Sequence, residues 1–211
     1  MDIKALFDLS YGMYVISTVM GDKKVGCFVN TVTQITAENP IITVSVNKLN
    51  YTNEALRQNK KFAVSILSEE TKADVISKFG FYSSRDTDKF EGMKYEEINN
   101  IPVIKEDICG YMICEVINIV ECETHDVFFA RVIDAKKENE YKPMTYSYYH
   151  EVIKGKAPKT APTYVEENEI NDEEEEAYKC IVCGYIHKGP MEGEYKCPIC
   201  GVDRTMFKKI K

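Results

Sequence analysis

Two short cysteine motifs constrain this chain more than any other sequence feature. Each is a Cys-x-x-Cys pair followed by glycine, and the four cysteines are Cys180, Cys183, Cys197 and Cys200. Two such pairs can present four thiolates tetrahedrally to one metal ion, and the glycines allow tight turns that direct backbone amides at the sulfurs. The motifs therefore predict a metal site, with free or disulfide-linked cysteines as the alternative. Spacing alone leaves iron and zinc open, because each accepts four thiolates.

The rest of the composition is that of an ordinary globular protein. The chain has 211 residues, of which 44% are hydrophobic, enough for one substantial domain and a small one. It contains no apolar run near the roughly 18 residues of a membrane span, and its Met-Asp-Ile-Lys start does not resemble a secretory signal. The remaining cysteines lie in apolar, strand-like contexts and are expected to be buried free thiols: Cys27, Cys109, Cys114 and Cys122. We therefore expect a cytoplasmic protein that does not bind membranes.

The net charge of −7 is distributed in three blocks. Residues 166–176 contain eight acidic residues and no basic one, residues 177–211 carry a net charge of +4, and residues 1–165 carry −3. An acidic protein binds nucleic acid poorly, so we expect no such partner. The acidic run follows a proline-containing stretch and predicts an extended linker, residues 163–176, between domains at 1–162 and 177–211. The basic tail could dock on an acidic surface of the larger domain or of a partner, or could simply be solvated.

The larger domain is expected to consist mainly of strands. Runs of β-branched residues predict strands at 15–19, 27–36, 41–46, 62–67, 111–120 and 127–133. Gly21 is expected in the turn of a first hairpin, Asn50 should cap a short helix that runs to Arg57, and Ser68 should open a second helix that Gly80 closes. Many strands with two helices favour a closed barrel with helical insertions. A Rossmann fold lacks its glycine-rich signature here.

The C-terminal motifs resemble a rubredoxin module. The resemblance rests on Tyr178-Lys-Cys-Ile-Val-Cys-Gly-Tyr185 and Tyr195-Lys-Cys-Pro-Ile-Cys-Gly201, and their short separation is similar to the compact module at the end of rubrerythrins. It implies one Fe(SCys)4 centre that carries a single electron. The chain has no Trp, so the aromatic residues of this small core are expected to be Tyr178, Tyr185, Tyr195 and Phe207. A zinc ribbon that only stabilises a mini-domain is the alternative.

Five segments of the larger domain, in this order, resemble the flavin reductase family. They are Gly26-Cys-Phe-Val-Asn-Thr-Val-Thr-Gln-Ile-Thr36, Val44-Ser-Val-Asn-Lys-Leu-Asn-Tyr-Thr52, Phe79-Gly-Phe-Tyr-Ser-Ser-Arg-Asp-Thr-Asp-Lys-Phe90, Thr124-His-Asp126 and Tyr146-Ser-Tyr-Tyr-His150. The resemblance implies an FMN-binding split β-barrel, usually a homodimer with the flavin near the subunit interface, reduced by NADH or NADPH. The whole chain is similar to two-domain flavin reductase–rubredoxin proteins of anaerobes.

The resemblance assigns candidate flavin contacts by position. Asn30, Thr31 and Thr33 match the strand that faces the isoalloxazine ring, where amide and hydroxyl groups can tune the flavin potential. Further matches are Lys48, Tyr51 and Thr52, in the segment that enters the first helix and places a helix N-terminus near the FMN phosphate. For each of these residues, a purely structural role is the alternative.

Three more positions complete the candidate site. Lys89 matches a basic residue that neutralises the phosphate, and a solvated surface lysine is its alternative. His125 matches a histidine close to the ring, where it could orient nicotinamide or stabilise charge on reduced flavin, and it is the candidate catalytic residue. Tyr148 could stack near the ring or simply pack the end of the barrel. His150 and His187 are expected to be structural.

Together the two modules predict an NAD(P)H-dependent reductase with its own one-electron outlet. Nicotinamide delivers two electrons at once and the iron accepts one, so a flavin is needed between them. The resemblance suggests a flavodiiron protein that reduces NO or O2 as the final acceptor. One alternative is a passive relay of FMN and iron that another protein reduces, since no nicotinamide-binding motif is readable. Another is a flavin barrel with a structural zinc ribbon.

Overall fold

A computed structural model describes residues 3–153, 176–191, 193 and 195–210 of the chain. The predicted linker, residues 163–176, lies outside the described residues apart from Glu176. Among the residues described, no helix is both long and apolar enough to cross a membrane.

The described part of the larger domain contains nine strands and three α-helices. The strands are β1 Tyr14–Met20, β2 Lys23–Val29, β3 Val32–Gln34, β4 Ile41–Asn47, β5 Lys61–Leu67, β6 Tyr95–Ile98, β7 Ile101–Ile104, β8 Ile108–Glu121 and β9 His125–Lys137. The helices are α1 Tyr51–Asn59, α2 Ala73–Phe81 and α3 Tyr146–Glu151, and a 3-10 helix spans Ile3–Asp8. The C-terminal unit contains β10 Ala177–Cys180, β11 Ile186–Lys188, β12 Phe207–Lys209 and a 3-10 turn at Arg204–Met206.

Seven strands form one antiparallel sheet that curls into a barrel. The strand order is β2-β1-β5-β8-β9-β4-β3, so β2 and β3 lie at opposite edges. Only Asn30 and Thr31 connect these two edge strands. Because two residues cannot span an open seven-stranded sheet, its edges must approach each other. The predicted mainly β barrel with helical insertions is confirmed, and the predicted strand at 27–36 is divided where the edges meet.

The two predicted helices are present, with one corrected start. Asn50 caps α1 by accepting a hydrogen bond from the Thr52 amide at 3.0 Å, as predicted. The prediction that Ser68 opens α2 is wrong, because that helix begins at Ala73. The Ser68 hydroxyl instead donates to the carbonyl of Asp107, so a long-range partner uses the group expected to cap the helix.

Two hydrophobic clusters stabilise the barrel domain. One fills the barrel interior around Phe62, Leu56 and Phe128, and the other packs α2, α3 and the β6–β7 hairpin against the outside of the sheet. Three of the four cysteines outside the metal motifs are buried free thiols, as expected. The same expectation for Cys122 is wrong, because it lies exposed in the turn between β8 and β9.

Candidate functional site: a four-cysteine centre beside a polar cleft

The four motif cysteines converge on one point at the end of the C-terminal sheet. Their Sγ atoms all lie within 4.8 Å of one another, and the two closest pairs are separated by 3.5 Å. A tetrahedral site with metal–sulfur bonds of about 2.3 Å needs sulfur–sulfur distances of about 3.8 Å. The cysteines are at most 7% exposed. The donor set therefore fits a single tetrahedral ion with four thiolate ligands.

The glycine after each pair adopts the conformation that the motif predicts. Gly184 and Gly201 have φ values of 77° and 70°, a left-handed conformation that most residues avoid. Each amide closes a turn onto the carbonyl of the first cysteine of its pair, at 2.9 Å from Gly184 to Cys180 and 2.8 Å from Gly201 to Cys197. The two halves of the centre are thus built by the same local geometry.

Backbone amides and neighbouring thiols set the protonation of the sulfurs. A hydrogen bond from the Cys183 thiol, helped by the amides of Ile199 and Cys200, lowers the pKa of Cys197. The same shared proton raises the pKa of Cys183, while the Tyr185 amide opposes that rise. Such amide donors favour thiolate and therefore metal ligation.

Aromatic residues complete the core of the C-terminal unit, as expected in a chain without Trp. Tyr185 and Phe207 pack against the cysteine cluster, and the rings of Tyr195 and Phe207 meet edge to face at 5.5 Å. Tyr178 instead lies at the sheet surface, where its hydroxyl donates to Glu176 at 3.1 Å.

A cleft opens on the barrel where its two sheet edges meet. Its empty volume is about 990 Å³, including the mouth that is open to solvent. The lining residues are Phe28, Val29, Asn30, Thr31, Ser45, Val46, Asn47, Leu49, Asn50, Tyr51, Phe79, Gly80, Phe81, Tyr82, Ser83, His125, Tyr146 and Tyr149. Aromatic rings, amides and the N-terminus of α1 share this lining, which suits a planar polar ring carrying a phosphate.

Four of the predicted flavin contacts line the cleft together: Asn30, Thr31, Tyr51 and His125. Asn30 is buried in the β2–β3 connection, and the Thr31 hydroxyl donates to the Ser45 carbonyl at 3.0 Å. Tyr51 begins α1. His125 begins β9 opposite Asn47 in the β4–β9 register.

His125 is held in place by its neighbours along the chain. Its Nδ1 lies 2.8 Å from the Thr124 hydroxyl. The adjacent carboxylate of Asp126 is fully buried and pairs with Arg57 of α1 at 2.7 Å. This ion pair fixes the start of β9 to α1, so that two walls of the cleft are joined.

Five other candidates do not line the cleft: Thr33, Lys48, Thr52, Lys89 and Tyr148. Thr33 is exposed on the edge strand β3, and Lys48 faces Asp126 at 4.0 Å in a separate surface hollow. Thr52, the second residue of α1, is buried. Their proposed contacts with a flavin stay predictions.

Lys89 occupies an unusual position for a lysine. Its side chain is only 2% exposed, and its ammonium donates to the carbonyls of Gly26 at 2.9 Å and Phe79 at 3.2 Å. Burial lowers its pKa to about 8, and the neighbouring Cys27 thiol opposes that shift. Lys89 therefore ties the loop after α2 to strand β2, directly behind the cleft wall that contains Phe79.

Sequence reasoning missed several residues that the structure brings to the cleft. Tyr146 and Tyr149 line it rather than Tyr148, because α3 turns Tyr148 towards Lys142. Arg85 is not among the lining residues, but it lies 4.5 Å from the centroid of the Tyr51 ring and pairs with Glu54 at 3.1 Å near the start of α1. All of these residues stand in segments that carry the family resemblance, but their orientation depends on a helix and a loop whose geometry the sequence did not indicate.

Comparison with family models matches both parts of the chain. Residues 6–155 match the flavin reductase like domain, and residues 178–208 match the rubredoxin-like domain of rubrerythrin. A high molecular weight rubredoxin of Moorella thermoacetica is 35% identical over the full length of both chains. A ferric-chelate reductase (NAD(P)H) of Archaeoglobus fulgidus is 33% identical over 79% of this chain and 99% of its own.

Solved structures share the barrel fold. A flavoredoxin from Methanosarcina acetivorans superposes with a TM-score of 0.58 at 24% identity, covering 64% of this chain and 74% of its own. An NADH:FAD oxidoreductase of Streptomyces globisporus gives a TM-score of 0.60 at 21% identity, covering 68% and 85%. At these identities the likeness concerns the fold alone.

Proposed function

Because the chain belongs to the flavin reductase like family and carries a C-terminal rubredoxin-like domain, we propose that it passes electrons from NAD(P)H through FMN to its own iron centre. The protein is an NAD(P)H-dependent flavin oxidoreductase whose cofactors are FMN and one iron ion. One observation carries the proposal: a four-thiolate centre and a cleft lined by aromatic and polar side chains occur in the same chain. A final acceptor such as a flavodiiron protein is part of the proposal.

The two cofactors supply the electron chemistry, and the protein supplies binding and orientation. When bound, FMN would take two electrons from NAD(P)H as a hydride, and the iron would take one at a time. The two electrons of one NAD(P)H would therefore be enough to reduce two Fe(III) centres to Fe(II), with release of one proton. The chain need only hold the ring, admit nicotinamide and exclude competing reactions.

We assign roles to the residues that line the cleft. Asn30 and Thr31 would hydrogen-bond the polar edge of the isoalloxazine ring, with Thr33 two residues further on in β3. The capped N-terminus of α1 at Tyr51 would face the FMN phosphate, because its dipole favours an anion. His125, at the cleft wall, would orient nicotinamide or stabilise charge on reduced flavin.

Two groups of basic residues are candidates for contact with the FMN phosphate. Lys48 and Lys89 are the positions that the family resemblance assigns, and Arg85 and Lys23 are those that lie near the Tyr51 ring. We retain Thr52 and Tyr148 as candidate contacts. Each of these assignments is part of the proposal.

A homodimer and a division into domains at 1–162 and 177–211 also belong to the proposal. Exposed apolar side chains on β8 and β9, at Ile117, Val120 and Ile133, support a second copy as the partner of this sheet. A linker at 163–176 and a cytoplasmic location complete it.

The test is a visible spectrum followed by anaerobic addition of NADH or NADPH. We expect flavin and Fe(III)–thiolate bands that both bleach, with three NAD(P)H consumed for every two chains, because each chain takes up two electrons in its flavin and one in its iron. A Cys197→Ser chain is the matched control, in which the flavin band should bleach without an iron band. If neither band responds to either nucleotide, the chain is a relay that another protein reduces. If metal analysis finds zinc and the protein lacks the iron bands, the iron half of the proposal fails.

A further inference from the structure

The C-terminal unit rests on helix α2 of the barrel. The hydroxyl of Ser77, in the second turn of that helix, donates to the carbonyl of Cys200 at 3.1 Å. Ser77 is only 3% exposed, because the second cysteine motif covers it. A buried hydrogen bond between residues 123 positions apart defines one orientation of the unit on the helix.

Apolar side chains extend this contact on both sides of Ser77. Phe81, at the end of α2, and Ile153, just after α3, both pack against the cysteine cluster. The contact therefore combines one buried hydrogen bond with apolar side chains from two elements of the barrel, which is the composition of a specific interface.

The barrel side of this contact is also a wall of the cleft. Phe81 lines the cleft and packs against the cysteine cluster, so a single side chain separates the two sites. Tyr82 and Tyr149 also line the cleft.

We propose that this contact is a specific interface within one chain, which presents the four-thiolate centre to the back of its own flavin cleft through Phe81. The proposal deepens the function proposed above and rests on it. At this interface reduced flavin would pass one electron to Fe(III), giving Fe(II), and no covalent bond would form or break. After an external one-electron acceptor has reoxidised the iron, a second such transfer, with release of one proton, would restore oxidised flavin.

The interface is tested by placing a large cation at its centre in the full-length protein. Ser77→Arg should push the C-terminal unit away from α2, because an arginine side chain cannot fit between Ser77 and the Cys200 carbonyl. Asp74→Arg is the matched control, since Asp74 lies on the same helix but is exposed. Hydrogen–deuterium exchange of residues 73–81 and 197–202 reports the contact directly, and stopped-flow absorbance follows flavin and iron separately.

We expect Ser77→Arg to increase exchange in both segments and to slow iron reduction about tenfold or more, because the unit loses its high local concentration at the wall. The rate at which NAD(P)H bleaches the flavin should stay unchanged, and Asp74→Arg should leave the exchange of residues 197–202 and both reduction rates as in wild type. Unchanged exchange and unchanged iron reduction in Ser77→Arg would overturn the proposal, and so would increased exchange without slower iron reduction. If wild-type flavin does not respond to NAD(P)H, the proposed function fails, and exchange alone then decides whether the interface exists.

Two further samples keep the test decisive. Ile153→Asp weakens the same interface from the other element, and should reproduce both effects if Ser77→Arg folds poorly. A mixture of Ser77→Arg chains with Cys197→Ser chains, after subunit exchange, separates contact within a chain from contact across a dimer. We expect iron reduction to remain slow in the mixture. Recovery of the fast rate would show that the iron unit of one chain receives electrons at the intact α2 surface of another chain. That result would overturn a contact within one chain.

Discussion

Lys89 shows how burial changes the chemistry of one residue. Its ammonium is enclosed by β2 and the end of α2, where two carbonyls accept its hydrogen bonds. Two acceptors without a carboxylate do not fully compensate for the loss of water, so burial lowers its pKa to about 8. Among the interactions described for Lys89, one titratable neighbour affects its pKa. This is the buried thiol of Cys27, which opposes the lowering by burial.

The Lys89 ammonium predicts a pH dependence of stability. Between about pH 8 and pH 10.5 the folded protein has released this proton while the unfolded chain retains it. Stability should therefore rise with pH in this window relative to a Lys89→Met variant, with a slope of up to about 1.4 kcal/mol per pH unit. Chemical unfolding across this range measures the free energy of unfolding of both proteins. Subtracting the value of the variant from that of the wild type cancels the opposite effect of the buried tyrosines and cysteines, because both proteins contain them.

Comparison of the wild type with Lys89→Met also tests whether Lys89 contacts the FMN phosphate, as predicted. A phosphate close to the ammonium would raise the pKa of Lys89. The rise of wild-type stability with pH would therefore begin at a higher pH with FMN than without it. An unchanged window would place the phosphate elsewhere, with Arg85 beside Tyr51 as the next candidate.

At the scale of single residues, the sequence indicated the type of site better than its members. Asn30 was identifiable because Asn is a poor strand residue, and it lies where the barrel edges meet. Tyr148 and Tyr149 are adjacent and chemically identical in sequence. Only the start of α3 at Tyr146 decides that Tyr149 faces the cleft.

At the scale of elements, the two cysteine turns are the most local structures in the protein. Gly201 has a φ of 70°, and a Cβ added there would meet no described atom within 4 Å. Replacement by alanine therefore acts through the backbone alone.

Gly201→Ala should destabilise the C-terminal unit by about 1–2 kcal/mol, the cost of a left-handed conformation for a residue with Cβ. Gly201→Asn should cost less, because Asn tolerates that conformation better. The effect is measured by the rate of metal loss to a chelator. Chemical unfolding followed by the loss of the iron absorption bands is a second measurement. Equal losses in the two variants would contradict a left-handed turn at this position.

Other elements depended on contacts that the sequence does not display. The β6–β7 hairpin was not predicted, since β6 is largely exposed and gains its partner only from β7. The start of α2 was predicted four residues too early, with Ser68 in place of Lys72 as the residue before the helix, because the hydroxyl of Ser68 bonds across the fold to Asp107. Ser68 is a residue type that caps helices, but its hydroxyl forms a hydrogen bond with a partner remote in sequence instead.

At the scale of the whole molecule, the two units differ in what stabilises them. The barrel has two extensive apolar clusters, whereas the C-terminal unit packs a few side chains around its cysteines. A unit below about 40 residues usually requires a metal or disulfides to fold.

Removal of the metal should therefore unfold one unit and spare the other. In a Cys197→Ser chain, deuterium exchange in β10 and β12 should rise to that of an unfolded segment. FMN affinity should stay within about twofold of wild type, because the cleft belongs to the barrel. Exchange and flavin titration on the same sample test this, and loss of FMN binding would show that the barrel depends on the metal.

The sequence by itself determined the four-cysteine centre and the class of fold, because both rest on local rules. Cys-x-x-Cys-Gly spacing dictates a turn that collects thiolates, and β-branched runs dictate strands. The tertiary structure alone decided which side chains share the cleft and where the C-terminal unit rests. Closure of the sheet at Asn30 and Thr31, and the contact of Ser77 with Cys200, join residues that are remote in sequence. Such positions depend on how whole elements pack, and no local pattern encodes them.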